Sequence, residues 1–290
     1  MFRLMKAIVV TAIISVILSS QIFAQQIRWV SNLGMATERA REQNKILMVF
    51  IGISNEDLKE KIEQQKPTDN QFYVEIHTPI EWNNATLINL SEKFVCHMAT
   101  EGTITKQLYS RMQRAVVFLD PDLKEINIDD FASTQKLLQA MNALPGDASE
   151  LYSKIKTIDE YPESLDVKLS LADQLQTALS YTISNKYYFE LLESSAISRD
   201  SLKYDHIRSH IALNYFLMEN YPEALPIFQE RITNAPTSPE RPMQLFLLMR
   251  GNLLGKNLNN AKECYEILQK EFPDNQHTQW AKPMIEKASE

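Results

Sequence analysis

Ala224, Phe228 and Pro236 recur as Ala261, Tyr265 and Pro273, each 37 residues further along the chain. A small residue, an aromatic four positions later and a proline twelve after the small one describe one helix and its end. The small side chain lets a neighbouring helix approach closely, and the aromatic fills the gap beside it. The proline stops the helix because it lacks a backbone donor. One such unit cannot bury its apolar face alone, so the recurrence predicts stacked helix pairs. Leu191, 37 residues before Phe228, marks a weaker unit at 170–199. Strand signals vanish from Asp147 onward, and helical periodicity predicts helices over 150–162, 164–183, 186–197, 204–220, 221–236, 243–256 and 258–273.

The earlier half reads differently. Leu33, Ala36 and Ala40 lie at helical spacing, followed by the apolar strand "ILMVFI" at 46–51. A charged helix is expected over 57–65, and "FYVEIH" at 72–77 fits a short strand or an extended segment equally well. "NATLINLSEKFVCHMAT" reads as a helix running into a strand centred on Val95, and "TKQLYSRM" as a short helix. "AVVFLDPDLKEIN" reads as a strand, a turn over 120–123 and a returning strand. "STQKLLQAMNAL" closes the region as an amphipathic helix stopped by Pro145 and Gly146. Strands alternating with helices, then a hairpin and a final helix, predict an α/β domain over 27–144, with a central mixed sheet flanked by helices. An all-α domain is expected over 147–290.

Residues 1–24 read as a signal peptide. Arg3 and Lys6 precede an apolar run over 7–18, and Ile22 and Ala24 are spaced for cleavage after Ala24. That run is shorter than the roughly 20 residues of a membrane-spanning helix. The expectation is a periplasmic or secreted protein with no membrane segment after cleavage. The mature chain then carries 28 Lys+Arg against 37 Asp+Glu, a net charge of −9. Such a balance argues against nucleic acid, whose binding rests on phosphate neutralisation. Cys96 and Cys264 fall in different predicted domains and read as two buried free thiols.

Two resemblances attach to these residues. "W…A…A…QNKILMVFIG" at Trp29 onward, "SEKFVCHMATEG" and "YSRMQRAVVFLDPDLKE" resemble secreted thioredoxin-like domains over about 27–142, with "VVFLDPD" the distinctive stretch. The family's redox parts do not carry over. Glu56 and Lys59 stand at the positions of the two redox cysteines, Arg114 (or Ala115) at the cis-proline, Phe50 at the buried acid and Leu123 at the turn glycine. Thiol exchange needs a thiolate that attacks a sulfur, and neither Glu nor Lys supplies one. The resemblance therefore implies a scaffold without redox chemistry, and no catalytic residue is expected. The rival expectation is a thiol-disulfide oxidoreductase accessory acting through the lone Cys96, whose apolar strand context disfavours reactivity.

The 37-residue unit resembles tetratricopeptide repeats, lengthened from their usual 34 or so. That resemblance implies a groove for a protein or peptide partner, lined by first-helix residues His206, Ser209, Met243, Phe246 and Arg250. His206 and His210 stand at i and i+4, a spacing that can offer two metal ligands. Sequence shows no third ligand nearby, so the pair reads as solvated or facing a partner, and no metal or other cofactor is expected. The glycines form no phosphate-binding loop and no G-x-S-x-G elbow.

Overall fold

The computed structural model describes residues 26–53, 71–72, 80–100, 115–128, 131 and 133–289. The signal peptide expected over 1–24, the helices expected over 57–65 and 105–112, and Glu56, Lys59 and Arg114 lie outside the described residues. The chain divides into two compact units. One runs to Ser153 and includes Thr177–Ser180; the other comprises Lys154–Gln176 and Tyr181–Glu290.

Among the described residues the first unit has six strands, β1 (Trp29–Val30), β2 (Leu47–Ile53), β3 (Gln71–Phe72), β4 (Val95–Thr100), β5 (Ala115–Leu119) and β6 (Glu125–Asn127). They form one mixed sheet in the order β3-β1-β4-β2-β5-β6. β4 pairs in parallel with β1 and β2, while β5 runs antiparallel to β2 and β6, and β3 antiparallel to β1. Helix α1 (Leu33–Glu42) follows β1, α2 (Ala85–Ser91) precedes β4, and α3 (Thr134–Ala143) follows the β5–β6 hairpin. Alternation along β2 sorts its side chains. Leu47, Val49 and Ile51 pack with Ala36 and Ala40 of α1, while Phe50 points the other way against Trp29 and Trp82. Strand β4 begins at Val95 rather than centring on it.

Capping chemistry fixes the ends. Asn32, Asn84 and Ser133 accept from backbone amides at the starts of α1, α2 and α3. The Lys93 ammonium donates to the Met141 and Leu144 carbonyls at 2.8 and 2.7 Å, which closes the C-terminal end of α3. Leu123 adopts φ 64°. The Asp120 carboxylate holds that turn by accepting from the Asp122 and Lys124 amides, each at 2.8 Å. The first turn of α4 (Ser149–Glu160) belongs with this unit: Ala148 N donates to Asn44 O at 2.7 Å and the Tyr152 hydroxyl to Lys45 O at 2.7 Å.

The second unit is helical: α5 (Leu165–Thr177), α6 (Tyr181–Leu192), α7 (Ser195–Arg199), α8 (Ser201–Leu217), α9 (Tyr221–Asn234), α10 (Arg241–Leu254), α11 (Leu258–Glu271) and α12 (Gln276–Ser289). Helix α9 packs on α8 and α11 on α10, and α10 also packs on α9. Ala224, Phe228 and Ala261 are fully buried, and each helix ends two residues before its proline, at Asn234 and Glu271. The hairpin turns repeat as well. Asn220 N donates to Tyr215 O and Glu219 N to Phe216 O; Asn257 N donates to Asn252 O and Lys256 N to Leu253 O. Glu219 (φ 62°) and Lys256 (φ 58°) take the left-handed position of each turn.

Three sequence expectations are corrected here. The helix expected over 186–197 is two, with α6 running Tyr181–Leu192 and α7 Ser195–Arg199. The helix expected over 164–183 breaks after Thr177, with Leu179 at φ 58°. Helix α12, which carries Pro283 inside it, was not expected at all.

Candidate functional site

The second unit encloses a run of polar side chains between α5, α6, α8 and the start of α10. Sequence offered His206 and His210 as neighbours one turn apart on α8. The fold brings a third group to them: Glu240, the residue that starts α10. Its Oε1 lies 3.4 Å from His206 Nδ1 and 3.8 Å from His210 Nε2. One donor atom from each of the three residues falls within 4.8 Å of the others, and all three side chains are part-buried. The imidazole rings lie 4.1 Å apart, centroid to centroid, at 38°.

Each histidine is held from behind. His206 Nε2 faces Asp173 Oδ1 of α5 at 3.2 Å, and the Tyr188 hydroxyl of α6 donates to that same oxygen at 2.6 Å. His210 Nδ1 donates to Gln176 Oε1 of α5. Gln176 in turn donates through Nε2 to Asn214 Oδ1 at 2.6 Å, and Asn214 Nδ2 donates to Asn185 Oδ1 at 2.7 Å and Ser184 Oγ at 3.1 Å. Asn214 and Ser184 are fully buried and Asn185 nearly so. A buried polar group without a partner costs about 1–3 kcal/mol, so this chain of bonds fixes the ring orientations.

Charge follows geometry. Hydrogen bonds to Asp173 and then Glu240 push His206 up to about 9. The same contacts from His206 and His210 hold Glu240 down at about 2. Burial pushes Asp173 up, but the bonds from His206 and Tyr188 outweigh it and leave its carboxyl below the usual range. A proton between His206 and Glu240 and a cation at the same place are alternative occupants.

No protein-family model matches this chain, and no curated protein is significantly similar to it.

The other expected groove residues are placed as follows. Ser209 is fully buried; its hydroxyl donates to Asp205 O at 2.6 Å and accepts from Gln244 Nε2 at 2.7 Å. Met243 is half-buried against the core. Phe246, 7 % exposed, stacks near His277 and Trp280, at 5.4 and 6.0 Å between centroids. Arg250 lies over the rings of Phe246 and Phe216 at 5.7 and 5.3 Å. The surface at Phe246 is therefore made by Trp280, which is 49 % exposed. Sequence reasoning missed Trp280 because it missed the helix that carries it.

In the first unit, Cys96 sits on β4 between β1 and β2, with Sγ 3.7 Å from Ser91 O. Burial pushes its thiol up to about 12, against a smaller opposing effect of Lys45. A cleft of about 400 Å³ beside it is lined by Arg28, Arg39, Lys45, Glu92 and Cys96, among others. Among the described residues, no helix is long and apolar enough to cross a membrane.

Proposed function

We propose that the chain is an exported, non-catalytic interaction protein, in which a thioredoxin-like domain without redox cysteines precedes a tetratricopeptide-like domain that captures a protein or peptide. The strand and helix order of the first unit supports the scaffold reading: parallel strands joined through helices, then an antiparallel hairpin and a closing helix. Recurrence of the buried alanines, the left-handed hairpin residues and the terminating prolines at a 37-residue spacing supports the repeat reading. Export rests on the character of residues 1–24.

The observation that carries the binding reading is the cluster of Trp280, His277, Phe246 and Arg250. Aromatic residues and arginine dominate binding energy at protein interfaces. Here a tryptophan stands half out of solvent cover above an arginine-stacked phenylalanine. The rival reading, thiol chemistry through Cys96, is weakened by burial of the thiol and its raised pKa.

Site-specific photo-crosslinking in the exporting cell tests this. A crosslinker placed at Trp280 should capture a discrete partner, and Arg250→Ala should reduce its yield. The same probe at exposed Tyr161 should not capture it. Equal capture at both positions, or none at Trp280, would refute the assignment.

A further inference from the structure

We infer that His206, His210 and Glu240 form a site for one divalent transition-metal cation of the zinc type, with three protein ligands and a fourth position open to solvent. Borderline cations of this type take imidazole nitrogen and carboxylate oxygen, and two histidines with one glutamate is an established zinc ligand set.

Distances favour this reading over a plain ion pair. A charge-assisted N–H···O bond runs at about 2.7–2.9 Å, whereas Glu240 Oε1 stands 3.4 Å from His206 Nδ1 and 3.8 Å from His210 Nε2. With metal–ligand bonds of about 2.0–2.1 Å, the edge of a tetrahedron of ligands is about 3.3 Å. The two separations from Glu240 are close to such edges, and all three donor atoms lie within 4.8 Å of one another. The two imidazole rings lie 4.1 Å apart, centroid to centroid, close enough for one cation to be shared between them.

The groups behind the ligands give the second, independent argument. In metal sites a ligating histidine almost always donates its far N–H to a carboxylate or carbonyl oxygen, which fixes the tautomer and orients the lone pair. Both histidines have that partner here. His206 turns Nε2 to Asp173 and leaves Nδ1 toward Glu240; His210 turns Nδ1 to Gln176 and leaves Nε2 toward the same oxygen. Asp173 and Gln176 are themselves fixed, by Tyr188 and Asn214. Side-chain exposures of 30, 19 and 24 % for His206, His210 and Glu240 leave an entry path for an ion.

The full chain, stripped with chelator and dialysed, is titrated with cobalt(II) chloride and with zinc chloride. The expected result is one equivalent bound, with visible cobalt absorption of the intensity that four-coordinate sites give, bleached by zinc. His210→Ala and Glu240→Gln should each weaken binding by 100-fold or more, with circular dichroism showing that the helical fold persists. Asp173→Asn, which removes a positioning group and not a ligand, should weaken it about 10–100-fold. Absence of stoichiometric binding by the unaltered chain would overturn the site. So would affinity unchanged in Glu240→Gln, since this variant keeps the side-chain shape and fold and loses only the anionic ligand.

Discussion

Ala224 on α9 and Ala261 on α11 occupy the same place in successive hairpins, 37 residues apart, and neither exposes any surface. Both lie in the core cluster that joins α8 to α12. A larger side chain at either position has to push helices apart, and overpacking costs about 1–3 kcal/mol. Ala261→Leu is expected to lower the thermal midpoint clearly; an unchanged midpoint would mean that the helices do not meet closely there.

Lys256 is exposed and sits at φ 58°. A left-handed conformation costs a non-glycine residue about 1–2 kcal/mol, and glycine enters it without a Cβ penalty. Lys256→Gly is expected to stabilise the chain by up to about 1 kcal/mol in denaturant unfolding, reduced by the extra chain entropy that glycine brings to the unfolded state. Loss of stability in this variant would contradict the turn geometry.

His97 lies 3 % exposed on β4, with Nδ1 donating to Val30 O at 2.7 Å. Burial lowers its pKa, with the bond to Val30 opposing in part. The folded state therefore binds this proton less readily than the unfolded chain, where the value is about 6.5. Its contribution to stability is complete above that pH and is lost as pH falls from about 6.5 through the folded value, at up to about 1.4 kcal/mol per pH unit. His97→Gln should be less stable at neutral pH and show a flatter decline on acidification. An identical slope in the two proteins would assign the acid sensitivity to other groups.

Cys96 and Cys264 are 4 and 7 % exposed, and burial pushes their thiols up to about 12 and about 11. A thiolate is the reactive species, so neither should react with an aromatic disulfide reagent in the folded protein at neutral pH. Two equivalents should appear on unfolding. Rapid native labelling that Cys96→Ser removes would revive thiol chemistry for this chain.

Local spacing determined much of the architecture before any tertiary contact. A continuous apolar run marked β2, helical spacing marked α1 and α3, and the recurring alanine, aromatic and proline marked α9 and α11, because each signal lies within one element and reflects its burial. The break after Thr177 and helix α12 were not legible. Leu179 turns the chain without glycine or proline, and Pro283 disguises a helix that its neighbours nevertheless hold. The candidate site shows the same limit more sharply. His206 and His210 are adjacent by helical geometry alone, so sequence could pair them. Asp173 stands 33 residues before His206 and Glu240 34 after it. Only the packing of α5 and α10 against α8 decides that these carboxylates flank one ring, since contacts between helices are set by how their faces fit and not by spacing along the chain.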